Sequence, residues 1–316
     1  MGQITAVLLA GGLIVSSVSC SKAKWEVVST AKFSDAAPVL SVEFLDGQHG
    51  WIATSAGLAE TVDGGRTWSE RRDIGDGFVF QLLRFRSPGN GWAFGAALEG
   101  ETKVSRVLNT LDGGLSWIAR ESGGTGLITS ADFCSSQFAL AAAEGSLLVS
   151  RDDGLHWPTS FSLKTSGGHL WGVACTGVSE AVAVGRNGMV VRTTDAGASW
   201  TAVRVETTRH LTRAYYDGVL TWILGENGTL LVSGDKGETW QARSASTEET
   251  LLDIKLSGSN GWIVGTRGLI LESTDSGGTW ERVPSPVTSD LAAISARASC
   301  EVWIGGEGFT ILKRRC

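Results

Sequence analysis

The sequence lacks a Cys-x-x-Cys pair, an Asp-x-Asp-x-Asp-Gly loop and any excess of basic charge. Without the first, a zinc site has no support; without the second, neither has an EF-hand calcium loop. A formal charge of −6 argues against a dedicated nucleic-acid binder, which carries a basic domain. Beyond Ser21 no apolar run is long enough to span a bilayer. Charged residues are only 19% of the 316 and apolar ones 42%, which excludes a disordered chain and leaves enough apolar surface for a core. Proline and tyrosine are scarce, at five and two residues.

Glycine and tryptophan, by contrast, are abundant, at 42 and 13 residues. Each Gly costs a helix roughly 1 kcal/mol relative to Ala, so a helical bundle or a doubly wound α/β fold is disfavoured and a turn-rich β protein is expected. Thirteen Trp against two Tyr indicates one position copied many times, the mark of a repeat.

The repeat is the octapeptide Ser/Thr-x-Asp-x-Gly-x-Thr/Ser-Trp. It spans Thr61 to Trp68, Thr110 to Trp117, Ser150 to Trp157, Thr193 to Trp200, Ser233 to Trp240 and Ser273 to Trp280, with Trp spacings of 49, 40, 43, 40 and 40. The third copy has His156 where a hydroxyl is expected. A four-stranded propeller blade has this length. The chemistry is that of a hairpin turn, in which Asp and the hydroxyl bond turn amides and Gly supplies a positive φ. Trp then buries its ring as the next strand starts. Asp63, Asp112, Asp152, Asp195, Asp235 and Asp275 are therefore read as structural.

A second unit precedes each box, clearest at Gly261-Trp262 to Leu271: an apolar strand, a Gly-x-x-Gly turn and another apolar strand. Seven such hairpins occur, the last at Val302 to Leu312 with no outer strand after it. Trp25 to Val28 resembles the segment that follows a box, and Trp25 lies 43 residues before Trp68. Pairing this segment with the last hairpin closes a ring and removes an exposed edge. The expectation is an all-β, seven-bladed propeller of about 41 residues per blade, forming one domain over 21–316.

Residues 1–20 read as an export signal: an apolar stretch from Ile4 to Val15, then small residues up to Cys20. Cys20 is a candidate lipidation site, because small residues before Cys resemble the bacterial lipoprotein box, although Ser17 stands where that box has Leu and no Lys or Arg precedes the run. The expected location is the periplasmic or thylakoid-lumen side of a membrane. Cys134, Cys175, Cys300 and Cys316 permit disulfides without specifying them; free Cys is often a small buried apolar residue, and that is the reading preferred here.

With the boxes assigned to the scaffold, binding residues are sought in the Gly-x-x-Gly turns and the links between blades. Arg204, Arg209 and Arg213 cluster in the link after Trp200, while Arg186 and Arg267 occupy turns. Arg forms forked bonds to carboxylates, so these five are the candidate partner-binding residues, the alternative being an exposed strand face. Arg71, Arg72, Arg84 and Arg86 form a weaker second cluster. Asp35, Asp76 and Asp290 are candidates for carboxylates that meet across the axis.

The octapeptide resembles the Asp-box, or bacterial neuraminidase repeat, which joins the third and fourth strands of a blade. The combination Gly-Trp-x-x-Gly-x-x-Gly followed by the box, at Gly261 to Trp280, is similar to the photosystem II assembly and stability factors of cyanobacteria and plastids. That resemblance implies a non-catalytic propeller; separately, no metal or cofactor is expected and the chain is expected to be a monomer. The resemblance also implies that the chain binds a membrane-protein precursor or assembly intermediate, partly through Arg. The alternative is a sialidase- or xyloglucanase-like glycoside hydrolase or glycan-binding propeller, since Asp-boxes occur in those enzymes; no sialidase-like Arg-Ile-Pro segment is present.

Overall fold

The computed structural model describes residues 24–28, 37–71, 77–162, 168–299 and 301–315. Cys20, Arg72, Asp35, Asp76, Cys300 and Cys316 lie outside the described residues, as does the whole export segment.

Seven antiparallel sheets follow one another around a ring. Blade 1 comprises the strands Val39–Phe44, Gly50–Thr54, Gly57–Thr61 and Ser69–Arg71, from the axis outward. Blade 2 begins at Phe78–Phe85, blade 3 at Ile128–Ser135, blade 4 at Leu170–Cys175, blade 5 at Leu211–Tyr216 and blade 6 at Leu251–Ser257. Blade 7 begins at Leu291–Ala298, continues through Glu301–Gly306 and Thr310–Arg315, and takes its outer strand from Lys24–Val27. Trp25 faces Arg314 and Val27 faces Leu312 in that pairing, so the two ends of the described chain close the ring as expected.

Each sheet is covered on both faces by neighbouring blades. The second strands are accordingly apolar without alternation: Gly50–Thr54, Phe138–Ala143 and Thr221–Gly225 are buried at every position. The fourth strands are short and exposed, as at Glu281–Arg282, where no further sheet follows.

The two sets of Trp divide the work of joining blades. Trp51, Trp92, Trp222, Trp262 and Trp303, all in second strands, are 0–1% exposed. Three of them donate an indole N–H to a box carbonyl of the next blade: Trp51 to Gly113 (3.1 Å), Trp92 to Gly154 (3.1 Å) and Trp303 to Gly64 (3.0 Å). Four box tryptophans instead bond a glycine carbonyl of their own turn, Trp68 (3.2 Å), Trp117 (3.1 Å), Trp157 (2.9 Å) and Trp240 (3.2 Å), while the buried indole N–H groups of Trp200 and Trp280 have no partner. The ring's junction between blades 7 and 1 is also stacked, with the rings of Phe44 and Trp303 3.7 Å apart.

Blade 3 departs from the repeat. The pair His156–Trp157 leaves its own sheet and adds to blade 2 in parallel, beside Glu121 and Ser122. The outer strand of blade 3 starts only at Thr159. Pro158 has no N–H to give the ladder, and Trp157 drops to 0% exposure against Phe94 and Phe133.

Cys134 and Cys175 form a disulfide between blades 3 and 4, with Cα atoms 5.1 Å apart. This corrects the reading of these two as free buried thiols. They end adjacent inner strands, where the ring brings equivalent positions of neighbouring repeats together.

Candidate functional site: the turn face of blade 4

The ring has two ends. At one end lie the boxes, each of whose carboxylates is consumed within its own turn. Asp112 accepts the Thr110 hydroxyl (2.8 Å), the Ser116 N–H (2.9 Å) and the Ser116 hydroxyl (2.6 Å). The Ser116 hydroxyl, then its N–H, then the Thr110 hydroxyl hold Asp112 down to about 2. Asp63, Asp195, Asp235 and Asp275 repeat the arrangement. In the third box the imidazole of His156 bonds Asp152 in place of the hydroxyl.

At the other end lie the Gly-x-x-Gly turns, held by the links that carry the chain to the next blade. Gly188 donates to Arg209 O (2.8 Å), and Arg186 N donates to His169 O (2.9 Å). A Cβ on Gly188 would lie 2.0 Å from Thr207 O, at φ +70°, so only glycine lets the link approach this closely. Val203 N donates to Val190 O at 2.9 Å, which lays the start of the link beside the same turn. Turn and link thus present Arg186 and Arg209 on this face of blade 4, and the start of the same link carries Arg204; all three are exposed.

Among the described residues, these three are the arginines whose guanidinium makes no hydrogen bond or ion pair. Arg204 lines a groove of about 390 Å³ between blades 4 and 5 that runs along the outer strand toward the boxes, with Arg192, Thr193, Ser199 and Glu238 on its walls. Elsewhere the turn face is acidic or neutralised: Glu226 occupies the blade 5 turn, and Glu249 in the next link pairs with Arg267 at 2.6 Å. Arg267 is therefore exposed but satisfied, two blades from the cluster.

Arg213 does not reach this face. It is the third residue of the inner strand of blade 5 and turns inward to Asp253 of blade 6, at 3.1 Å, with its side chain 14% and that of Asp253 5% exposed. The second arginine cluster is likewise dispersed. Arg71 donates to Gly114 O and Leu115 O of blade 2, Arg84 goes to the axis, and Arg86 pairs with Asp153.

The axis holds a constellation that sequence reasoning missed. Glu43 and Arg84 pair at 3.0 Å, and Asp132, Arg213, Asp253 and Lys255 join them electrostatically from blades 3, 5 and 6. Burial, then the nearby Arg84 cation, lowers the Lys255 ammonium from its usual range. A signal was present: Glu43, Arg84, Tyr215, Lys255 and Ser295 each face the second-strand Trp of their own blade across the ladder. The carboxylates at the axis are occupied by the scaffold. Asp253 accepts Ile254 N (3.0 Å) and Ile294 N (2.9 Å), and Asp132 accepts Phe133 N (2.9 Å) and Cys175 N (2.8 Å). Asp290 sits in a link, where it accepts Arg267 N at 2.8 Å.

The family model for the photosynthesis system II assembly factor YCF48 matches residues 18–117 and 199–288, more than half of the chain. The chain belongs to that family. Among solved structures it is similar to YCF48 bound to a D1 peptide, at 22% identity and a TM-score of 0.72, covering 92% of this chain and 97% of the other. It is also similar to YCF48 from Cyanidioschyzon merolae, at 19% identity and a TM-score of 0.69, covering 92% and 98%. Virginiamycin B lyase from Staphylococcus aureus shares the ring at 13% identity and a TM-score of 0.75, covering 93% and 99%. At these identities the structures share a fold, and a fold that hosts both a peptide complex and a lyase leaves function to be argued from the site. No curated protein sequence matches the chain.

Proposed function

We propose that this protein is an exported, non-catalytic propeller that docks an acidic segment of a membrane-protein precursor or assembly intermediate on the turn face of blade 4. One observation carries the reading: three exposed guanidiniums without partners belong to one turn and the link that follows it, while the other described arginines are bonded. An unpaired Arg fork is a ready receptor for carboxylates. Arg209 lies five positions after Arg204, up to roughly 16 Å of chain, so a segment with several carboxylates suits the face better than a single anion. The peptide complex of the related YCF48 structure supports a peptide as the ligand class.

The non-catalytic reading is supported by the axial carboxylates, whose oxygens accept backbone N–H groups and cations of the scaffold. Export is supported by the Cys134–Cys175 disulfide, since such bonds persist in oxidising compartments. Lipidation at Cys20 and a monomeric state complete the proposal. A pull-down from membranes with the Arg186→Glu/Arg204→Glu/Arg209→Glu variant tests it: loss of the captured partner is expected, and capture equal to wild type overturns the docking face.

A further inference from the structure

Twelve of the 13 Trp are accounted for by the second strands, the six boxes and the closing strand at Trp25. Trp171 is the exception. It sits in the inner strand of blade 4 at a break in the ladder between Leu170 and Gly172, which lifts its side chain out of the strand pairing. The same break occurs in the other six blades, where the residues are Leu40, Gln81, Thr129, Thr212, Leu252 and Ala292. A ring that accepts Ala, Thr, Gln and Leu at this position does not need an indole for folding.

The surroundings of Trp171 are those of a binding wall. The indole is half-buried, and its N–H donates to nothing in the protein. His169 lies parallel to it, with ring centres 6.4 Å apart and 12° between planes, and His210 meets it at 5.4 Å and 66°. Asn187 N donates to His210 Nδ1 at 3.1 Å. That bond fixes the orientation of the His210 ring beside the indole. The same residues carry the unpaired arginines: His169 O accepts Arg186 N, and Arg209 directly precedes His210. Glu226 bounds the far side, where it accepts the backbone N–H of His210 at 3.3 Å, and keeps ligand carboxylates on the Arg186 and Arg209 side.

We infer that Trp171 is the apolar anchor of the docking face, and that its ligand is an acidic peptide segment with an aromatic residue beside a carboxylate. The ligand ring packs against the indole, where aromatic pairs prefer offset or edge-on contact, while the adjacent carboxylate takes the Arg186 and Arg209 forks. Aromatic and Arg side chains together are the usual carriers of binding energy at interfaces. The inference rests on the docking face proposed above and specifies what that face selects.

The test is calorimetric titration of the full chain and of Trp171→Leu with two capped peptides, Ac-Glu-Phe-Asp-Ala-Glu-NH2 and its counterpart with Ala for Phe. Leu is the residue at the same position in blades 1 and 6, so the variant should melt as wild type does. Wild type is expected to bind the Phe peptide at least tenfold more tightly than the Ala peptide. Trp171→Leu is expected to abolish that preference and leave the Ala peptide within twofold. If wild type does not distinguish the peptides, or if Trp171→Leu weakens both equally, the anchor is wrong while the docking face stands. If neither peptide binds wild type, the docking face itself falls, and the anchor with it.

Discussion

The indole of Trp51 in blade 1 occupies the space that a side chain on Gly114 of blade 2 would need. A Cβ there would lie 2.3 Å from the Trp51 ring, at a φ of +98°. The box glycine thus meets two demands, the turn and the neighbouring blade.

Gly114→Ala is therefore expected to lower stability by about 2–4 kcal/mol, overpacking and the positive φ acting together. Gly57, with nothing within 4 Å of its Cβ position, is the control. Gly57→Ala should stay within about 0.5 kcal/mol of wild type, and urea unfolding of both variants checks the contrast.

The disulfide closes a loop between positions 41 residues apart, for which chain entropy gives about 4 kcal/mol. Cys134→Ser/Cys175→Ser is expected to unfold at lower temperature in oxidising buffer. Added reductant should bring wild type down to the variant's melting temperature.

Glu272 of blade 6 ties the closing strand down. Its carboxylate accepts the Trp25 indole N–H at 3.1 Å and the Arg314 guanidinium twice at 3.1 Å. Trp25→Ala is expected to cost about 3–5 kcal/mol. Because Arg314 shares this contact, removing the last residues of the strand should also destabilise the ring, which a thermal melt of each variant measures.

In the third box the Asp152 hydrogen bond, then its charge, raises the His156 imidazole above its usual range, and Asp152 is held to about 2. The imidazolium's contribution is full below pH 6.5, the unfolded value, and is lost as pH rises through the raised folded value. The carboxylate's contribution is present above pH 3.8 and is lost toward about 2. The melting temperature of wild type relative to His156→Gln should accordingly be highest between these limits and shrink as pH rises through the raised His156 value.

The architecture was legible because its signals are local and repeated. The boxes, the Gly-Trp hairpins and the strand at Trp25 are each readable within a dozen residues, and the ring follows from counting them. What was not legible depends on which inner strands become neighbours. Cys134 and Cys175 stand at similar places in successive repeats, yet only the 5.1 Å approach of their Cα atoms makes them a bond. Arg209 and Arg213 looked alike four residues apart. One lies in a link at the rim, and the other lies within a strand and faces Asp253. Trp171 stood out only as the indole without a place in the repeat.

The central claim is that blade 4 captures acidic peptides through its unpaired arginines. The direct measurement is the dissociation constant of Ac-Glu-Phe-Asp-Ala-Glu-NH2 for wild type and for Arg186→Glu/Arg204→Glu/Arg209→Glu, by calorimetry at low and high salt. Each lost charge-assisted bond is worth about 1.5–3 kcal/mol, so the variant should bind at least a hundredfold more weakly, and wild-type affinity should fall with added salt. Equal dissociation constants for the two proteins, unmoved by salt, would contradict the account.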